Sequence, residues 1–436
     1  MRALNNKLFF MQFVEKFKQI WRIRTLRNSI LFILLILIIF RIMAHVPTPG
    51  VDLASLKYLF SRNQMLGMLN LLSGGAMTNF SLIALGLGPY ITATIIMQLL
   101  TMVIPALEEL SKEGQTGYKK IENYSRLLTV PLALLQSYGM IKLFSQTNPP
   151  IISHLSTFEI FNTMIVMTAG AMFLVWLGDL ITERKIGNGI SLLIFAGIVE
   201  AIPLTLQKAL VSFNTAQAVD WLVLGGLAMA TIATVAIVTR GQRNIPVTYA
   251  RQIRGNRMYG GMDTYLPMKV NQAGMIPIIF AISIVLFPGL IGQFMSQSGA
   301  VWLASFGHSL IKLFQNQFIY GIIYFLLVVA FTYFYTNIIF HPEQIAENLQ
   351  KQGAFIPGMR PGQPTSTYLK GVSQRIMLTG SLFLGLIAVS PIIVQNIFKM
   401  SPFVIGGASV LIVVSVVLET LDQLDAQITM YEYEGI

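Results

Sequence analysis

The chain contains no cysteine, so neither a disulfide nor a thiolate metal site is open to it. Charge is scarce: Asp, Glu, Lys and Arg make up 11% of the 436 residues, against about 25% in a soluble domain. No GxxxxGK[ST] loop occurs, which excludes P-loop nucleotide hydrolysis. His45, His154, His308 and His341 stand far apart and no HExxH is present, so no metal site is expected. Ionisable residues are missing from the middles of the apolar runs, since Arg41, Lys142, Asp179, Glu200 and Asp220 all stand near run ends. A proton or sodium relay, which coupled transporters build from such residues, has nothing to run on. There is no nucleophile–base pair either, so no enzyme and no cofactor is expected.

What the chain has in abundance is apolar sequence. Apolar residues make up 54% and the mean hydropathy is +0.65. Runs of roughly 20 apolar residues, the length a helix needs to cross a bilayer, recur along the whole chain. They do not alternate apolar with polar, as the strands of a membrane β-barrel do. The pattern predicts an all-α polytopic membrane protein with spans at 29–46, 81–100, 127–144, 160–180, 186–206, 219–239, 270–293, 317–340, 376–397 and 403–421.

The basic residues orient these ten spans. Of the 30 Lys and Arg, 23 fall before the first span or within Lys112–Arg126, Arg184–Lys185, Arg240–Lys269 and Lys351–Arg375. Excess Lys and Arg marks the cytoplasmic side, so both termini are expected inside, as an even span number requires. The run SILFILLILIIF (Ser29 to Phe40) is followed by Arg41 and His45 rather than a small-x-small site, so it is not expected to be a cleaved signal peptide. Before it, Phe9, Phe10, Phe13, Phe17 and Trp21 recur at near-helical spacing among Lys7, Lys16, Lys18 and Arg22. That pattern fits an amphipathic helix on the inner leaflet, or simply an anchor for the first span.

One stretch breaks the rhythm. Between Arg62 and Glu108 there is no charge, yet the stretch is too long for one span and too short for two with a loop. Its middle, NLLSGGAMTNFS (Asn70 to Ser81), should end a helix at Ser-Gly-Gly. Irregular backbone at membrane depth is tolerated only where protein buries it or it lines a cavity. A central cavity is therefore expected. Gly and Pro breaks inside the spans (Gly86, Gly88, Pro89; Gly187, Gly189; Gly274, Pro277; Gly406, Gly407) lie beside Ile and Leu clusters. They fit ordinary helix packing through small residues or a cavity narrowed by aliphatic side chains.

The loop IAENLQKQGAFIPGMRPG (Ile345 to Gly362) holds Arg360 between two Pro-Gly corners, Pro357-Gly358 and Pro361-Gly362. Proline fixes φ and glycine accepts φ > 0, so the corners are stiff. This loop closely resembles that of the SecY family, channel subunits of the protein-conducting translocon. Four further blocks resemble the family in order: EGQTGYKKIENYSRLLT (Glu113 to Thr129), SGGAMTNFSLIALGLGPYITATIIMQLL (Ser73 to Leu100), WLGDLITERKIGNGISLLIFAGI (Trp176 to Ile198) and LPMKVNQAGMIPIIFA (Leu266 to Ala281). Departures are modest. Asp179 and Lys185 stand where the family usually has Glu and Gly, and Gly88 where it favours a bulky apolar residue.

The resemblance implies a fold of ten transmembrane helices in two inverted, pseudosymmetric five-helix halves around an hourglass pore. The halves would be 1–205 and 219–436, joined by an external hinge at 206–218, with cytosolic docking loops at 240–269 and 341–375. It assigns a pore ring to Leu87, Ile91, Ile190, Ile194, Ile279 and Ile412. It also implies a plug near 63–75, centred on Met65, Leu66, Gly67, Met68, Leu69, Asn70, Leu71 and Leu72, and a lateral gate at Thr92, Gln136 and Asn271. Pairs at i,i+4 share one helix face, and a narrow aliphatic constriction excludes water by dewetting. Partner docking falls to Arg240, Arg243, Arg251, Arg254, Arg257 and Arg360. The first docking loop carries six basic residues and one acid, which favours ribosomal RNA, though cytoplasmic topology alone accounts for it equally. The implied partners are SecE, SecG, the SecA ATPase, the ribosome, signal sequences, nascent polypeptides and membrane lipid, in the bacterial cytoplasmic membrane. The expected function is passage of unfolded polypeptide across the membrane and lateral release of apolar helices. The alternatives are an accessory channel paralogue for fewer substrates, or a secondary solute transporter.

Overall fold

The computed structural model describes residues 19–48, 51–62, 70, 73–145, 156–211, 218–249, 252–254, 257–259, 263–296, 298, 300–398 and 407–433. The stretch Phe9–Phe17, the plug residues Met65 to Leu69, Leu71 and Leu72, Gly406, Arg251 and residues 212–217 of the expected hinge lie outside them. The chain falls into two compact units, Met1–Lys208 with Val416–Ile436, and Ala209–Ser415.

The first unit carries α1 (Arg24–His45), α2 (Leu53–Arg62), α3 (Gly88–Val103), α4 (Pro105–Lys112), α5 (Gln115–Ser145), α6 (Thr157–Thr182) and most of α7 (Gly189–Val211). Local chemistry explains several starts. The Asp52 carboxylate accepts from Ser55 Oγ (2.6 Å) and Ala54 N (3.0 Å), opening α2. The Ser55 hydroxyl foremost, with the Ala54 N–H, holds that exposed carboxyl below its usual range. At α6, Ser156 Oγ accepts from Glu159 N (3.3 Å) while Ser156 N donates to Glu159 Oε2 (2.7 Å), a reciprocal capping box. Pro105 at the first position of α4 bends it 101° away from α3. Leu56, Phe60, Phe80, Met140, Ile141, Phe144 and Met167 form one core of this unit.

The second unit begins with α8 (Ala218–Arg240) and the strands β1 (Gln242–Tyr249), β2 (Gln252–Arg254), β3 (Arg257–Tyr259) and β4 (Asp263–Lys269). There follow α9 (Ile276–Ser296), α10 (Val301–Gln315), α11 (Gln317–Ile339), α12 (Pro342–Lys351), β5 (Ala354–Phe355) and α13 (Gln363–Phe398). Last comes α14 (Gly407–Tyr433), whose final part belongs to the first unit. The Asn316 side chain caps α11, accepting from Phe318 N (3.0 Å) and Ile319 N (3.4 Å).

Each of the ten expected spans coincides with a helix. Five are long and apolar enough to cross a membrane unaided: Arg24–His45, Gln115–Ser145, Thr157–Thr182, Gln317–Lys351 and Gln363–Val394. The bent pair α3–α4 makes a sixth if counted as one span, and Gly189–Pro203, Gly225–Arg240 and Ile276–Val285 are shorter apolar helices. The expected span 81–100 starts later, at Gly88, because residues 73–87 are turns.

The all-α expectation needs amending at the loops 240–269 and 341–375. β1 is the centre of a three-stranded antiparallel sheet, paired with β4 from Gln242↔Lys269 to Thr248↔Asp263 and with β5 at Thr248↔Phe355 and Tyr249↔Ala354. Along β1, Ile245 and Val247 are buried while Arg243, Asn244 and Pro246 are exposed, the period-2 alternation of a one-sided sheet. Beneath it Ile245, Val247, Met268, Ala354, Ile356, Leu369 and Val372 form a separate core. The two loops expected to project separately are therefore one folded body.

Candidate functional site

The turn between α2 and α3 is the most irregular buried backbone described in the first unit. Asn70 organises it: its carbonyl accepts from Gly75 N (2.9 Å) and Ser73 Oγ (3.0 Å), and its side-chain oxygen accepts from Thr78 N (3.0 Å). Gly74 and Gly75 follow with φ +65° and +76°, two consecutive left-handed positions that only glycine adopts cheaply. Phe80 is forced to φ +41°, and its ring packs edge-on to Phe144 at 5.8 Å. The chain then pairs with the end of α1, with Thr48 N donating to Phe80 O (2.9 Å) and Leu82 N to Val46 O (3.2 Å). Residues 73–80 are turns, as expected at Ser-Gly-Gly, and the helix expected before them lies largely outside the described residues. Of the assigned plug residues only Asn70 is described.

The ring candidates are all described. Leu87 caps α3 and its carbonyl accepts from Ile91 N (3.0 Å), so the two occupy one face. Leu87, Ile91 and Ile194 are buried, and Ile190, half-buried, lies against Gly178 of α6, its Cγ1 3.0 Å from the position a Cβ would take there. In the second unit Ile279 sits in the first turn of α9 and Ile412 near the start of α14, both buried.

Two gate candidates lie beside Gly88 within the first unit. Thr92 Oγ1 donates to Gly88 O (2.9 Å), and Gln136 Oε1 on α5 lies 3.9 Å from where a Cβ on Gly88 would stand. Asn271 belongs to the second unit. Its Nδ2 donates to Gly274 O (3.1 Å), and its buried Oδ1 has no hydrogen-bond partner among the described residues. An unpaired buried oxygen of this kind costs free energy until something donates to it.

On the sheet-built body, Ile356 O accepts from Met359 N (3.0 Å) across Pro357 and Gly358, whose φ is +81°. That is a type II turn with proline and glycine each where its geometry asks for them. Gly362 takes φ +95°, Arg360 between the corners is exposed, and Thr365 Oγ1 ties down its carbonyl at 2.8 Å. Arg240 and Arg243 are exposed beside β1, while Arg254 and Arg257 face each other in backbone register at the end of the β2–β3 hairpin.

Three charged contacts join helices that sequence reading left separate. Arg126 Nη2 on α5 bonds Glu122 Oε1 (2.8 Å) and Asp179 Oδ2 of α6 (3.1 Å). The Arg184 guanidinium stacks over Phe32 of α1, 4.1 Å from the ring centroid. Arg41 of α1 forms an ion pair with Glu200 of α7, and its Nη1 donates to Gly74 O (3.3 Å). The only sequence signal for the two ion pairs was opposite charge near the ends of different spans. Among the described residues no group of His, Asp or Glu side chains is arranged to hold a metal ion.

A family model described as SecY matches residues 81–421. The chain belongs to the SecY family. A protein translocase subunit SecY of Streptomyces galbus is 43% identical over 435 residues, covering 96% of this chain and 98% of its own. Its counterpart in Mycobacterium tuberculosis (strain ATCC 25618 / H37Rv) is also 43% identical, covering 94% and 96%. A solved protein conducting channel shares the fold with TM-score 0.63 at 18% identity over 90% of each chain. Sec61 from a canine ribosome-channel complex does so with TM-score 0.60, at 18% identity over 90% of each chain. As a SecY-family member the chain is a multi-pass membrane channel for protein translocation and not an enzyme.

Proposed function

We propose that this chain is the channel-forming subunit of a bacterial protein translocase, its ten helices forming two inverted five-helix halves around one pore. In this reading Leu87, Ile91, Ile190, Ile194, Ile279 and Ile412 form the aliphatic constriction, and residues 63–75 seal it from outside at rest. Thr92, Gln136 and Asn271 latch the lateral gate. Interhelical polar bonds in membranes contribute only about 0.6 kcal/mol each, so a signal helix can displace them. Both termini are cytosolic in the cytoplasmic membrane. SecE and SecG complete the channel, and SecA or the ribosome docks on the sheet-built body carrying Arg240, Arg243 and Arg360.

The observation that carries this reading is the end-to-end match to bacterial protein translocase subunits, with 98% of one relative's length covered. The buried, irregular turn from Ser73 to Leu87 agrees with it, because such backbone belongs beside a cavity. So do the buried aliphatic pairs at i,i+4. The accessory-paralogue and solute-transporter alternatives gain no observation of their own.

The test is to hydrate the ring. Ile194→Asn or Ile412→Asn places an amide in a constriction that closes by excluding water. Secretory proteins with defective signal sequences are expected to be exported better by either variant than by the wild type. Export unchanged or reduced for those substrates, at normal expression, would sink the ring assignment.

A further inference from the structure

Arg41 and Glu200 have no role in the pore, the gate or the docking body, yet their geometry is specific. They come from helices far apart in sequence, α1 and α7, and meet over the turn at Gly74–Gly75. The Arg41 guanidinium binds the Glu200 carboxylate and, through Nη1, the Gly74 carbonyl at 3.3 Å. His45, one turn on, fixes its orientation: His45 Nδ1 donates to Arg41 O (2.9 Å) and Nε2 lies 3.3 Å from Arg41 Nη2. Glu200 itself lies against the turn. A Cβ on Gly75 would stand 3.4 and 3.5 Å from its two carboxylate oxygens, and Oε2 is buried with no hydrogen-bond partner among the described residues.

We propose that Arg41 and Glu200 are positioning residues that clamp the Gly74–Gly75 turn between two helices and thereby set how tightly the channel is sealed at rest. A planar guanidinium can serve a carboxylate and a carbonyl at once because its N–H donors point in fixed, diverging directions. Opening the clamp leaves a half-buried carboxylate and a buried carbonyl without their donor, so the turn is held by charge rather than by packing alone. The wild-type clamp keeps the resting channel tight to small ions. This inference rests on the reading of residues 63–75 as the seal.

The experiment measures resting chloride leak through the full chain, reconstituted with its small subunits in planar bilayers. Arg41→Gln and Glu200→Gln are each expected to raise the leak several-fold. The double variant should leak no more than either single one, because both remove the same interaction. Arg41→Lys should fall between, since an ammonium reaches the carboxylate or the carbonyl but not both. All variants should keep the wild-type size-exclusion profile in detergent, which separates loss of the seal from loss of the fold. Should Arg41→Gln fail to accumulate, the near-isosteric Glu200→Gln decides. Wild-type leak in the singles, or additive leak in the double, overturns the clamp. Deletion of 65–72 is the companion measurement. Leak from the deletion but not from the clamp variants rejects the clamp and leaves the seal; leak from none of them rejects the seal and the clamp with it.

Discussion

Lys185 stands at φ +57°, in the tight connection between α6 and α7. A side chain in that left-handed region crowds its own backbone, at a cost of about 1–2 kcal/mol. Glycine adopts that angle without the clash. Lys185→Gly is therefore expected to raise thermal stability by about 1 kcal/mol, read as a higher Tm of the detergent-solubilised protein; an unchanged or lower Tm would show the strain to be absorbed elsewhere. Glycine and proline positions were legible in this way because their constraint is local. Pro357-Gly358 forms the expected stiff corner, and Gly74 and Gly75 take left-handed angles where the sequence calls for irregular backbone. The Arg41–Glu200 pair was not legible. Each residue alone reads as a charge near a span end, and nothing in the 158 intervening positions says that the two meet.

At the scale of elements, α6 and α7 approach so closely that a Cβ on Gly189 would lie 1.8 Å from Gly178 O. Gly189→Ala must push the helices apart and is expected to destabilise the protein by about 1–3 kcal/mol, as overpacking typically does. Gly225→Ala on α8, where a Cβ meets nothing within 4 Å, should remain at or above wild-type stability in the same denaturation series. Equal loss in both would mean that glycine content rather than helix contact is responsible.

Apolar run length found a helix at each expected span but misjudged several edges, because a helix continues beyond the apolar run wherever the polar sequence still suits it. The helix of the expected span 376–397 starts at Gln363, and that of 403–421 runs on to Tyr433. The three-stranded sheet escaped sequence reading for a different reason. Ile245 and Val247 alternate with exposed neighbours, but the partner of Thr248 is Phe355, more than a hundred residues away. A pairing that distant leaves no period in either segment.

For the whole molecule, the joined loops turn two docking candidates into one surface carried by the second unit. Arg360 projects from it between two fixed corners and is exposed. A guanidinium fork suits carboxylate or phosphate, and in the proposed docking role that group belongs to a motor protein or ribosomal RNA. Arg360→Glu is expected to abolish SecA-driven export in reconstituted vesicles while the protein still inserts and assembles with its small subunits. Wild-type export by that variant would leave Arg360 as a topology charge. The same reading of the molecule makes a statement about where the translocating polypeptide runs. Since the chain has no cysteine, single cysteines can be placed at Leu87, Ile91, Ile190, Ile194, Ile279 and Ile412, each paired with one cysteine in a stalled secretory chain. Disulfides are expected from all six positions and from neither Leu135 nor Leu222, which are exposed at 70% and 77%. Disulfides absent from the six, or formed as readily at the two exposed leucines, would contradict passage through the ring.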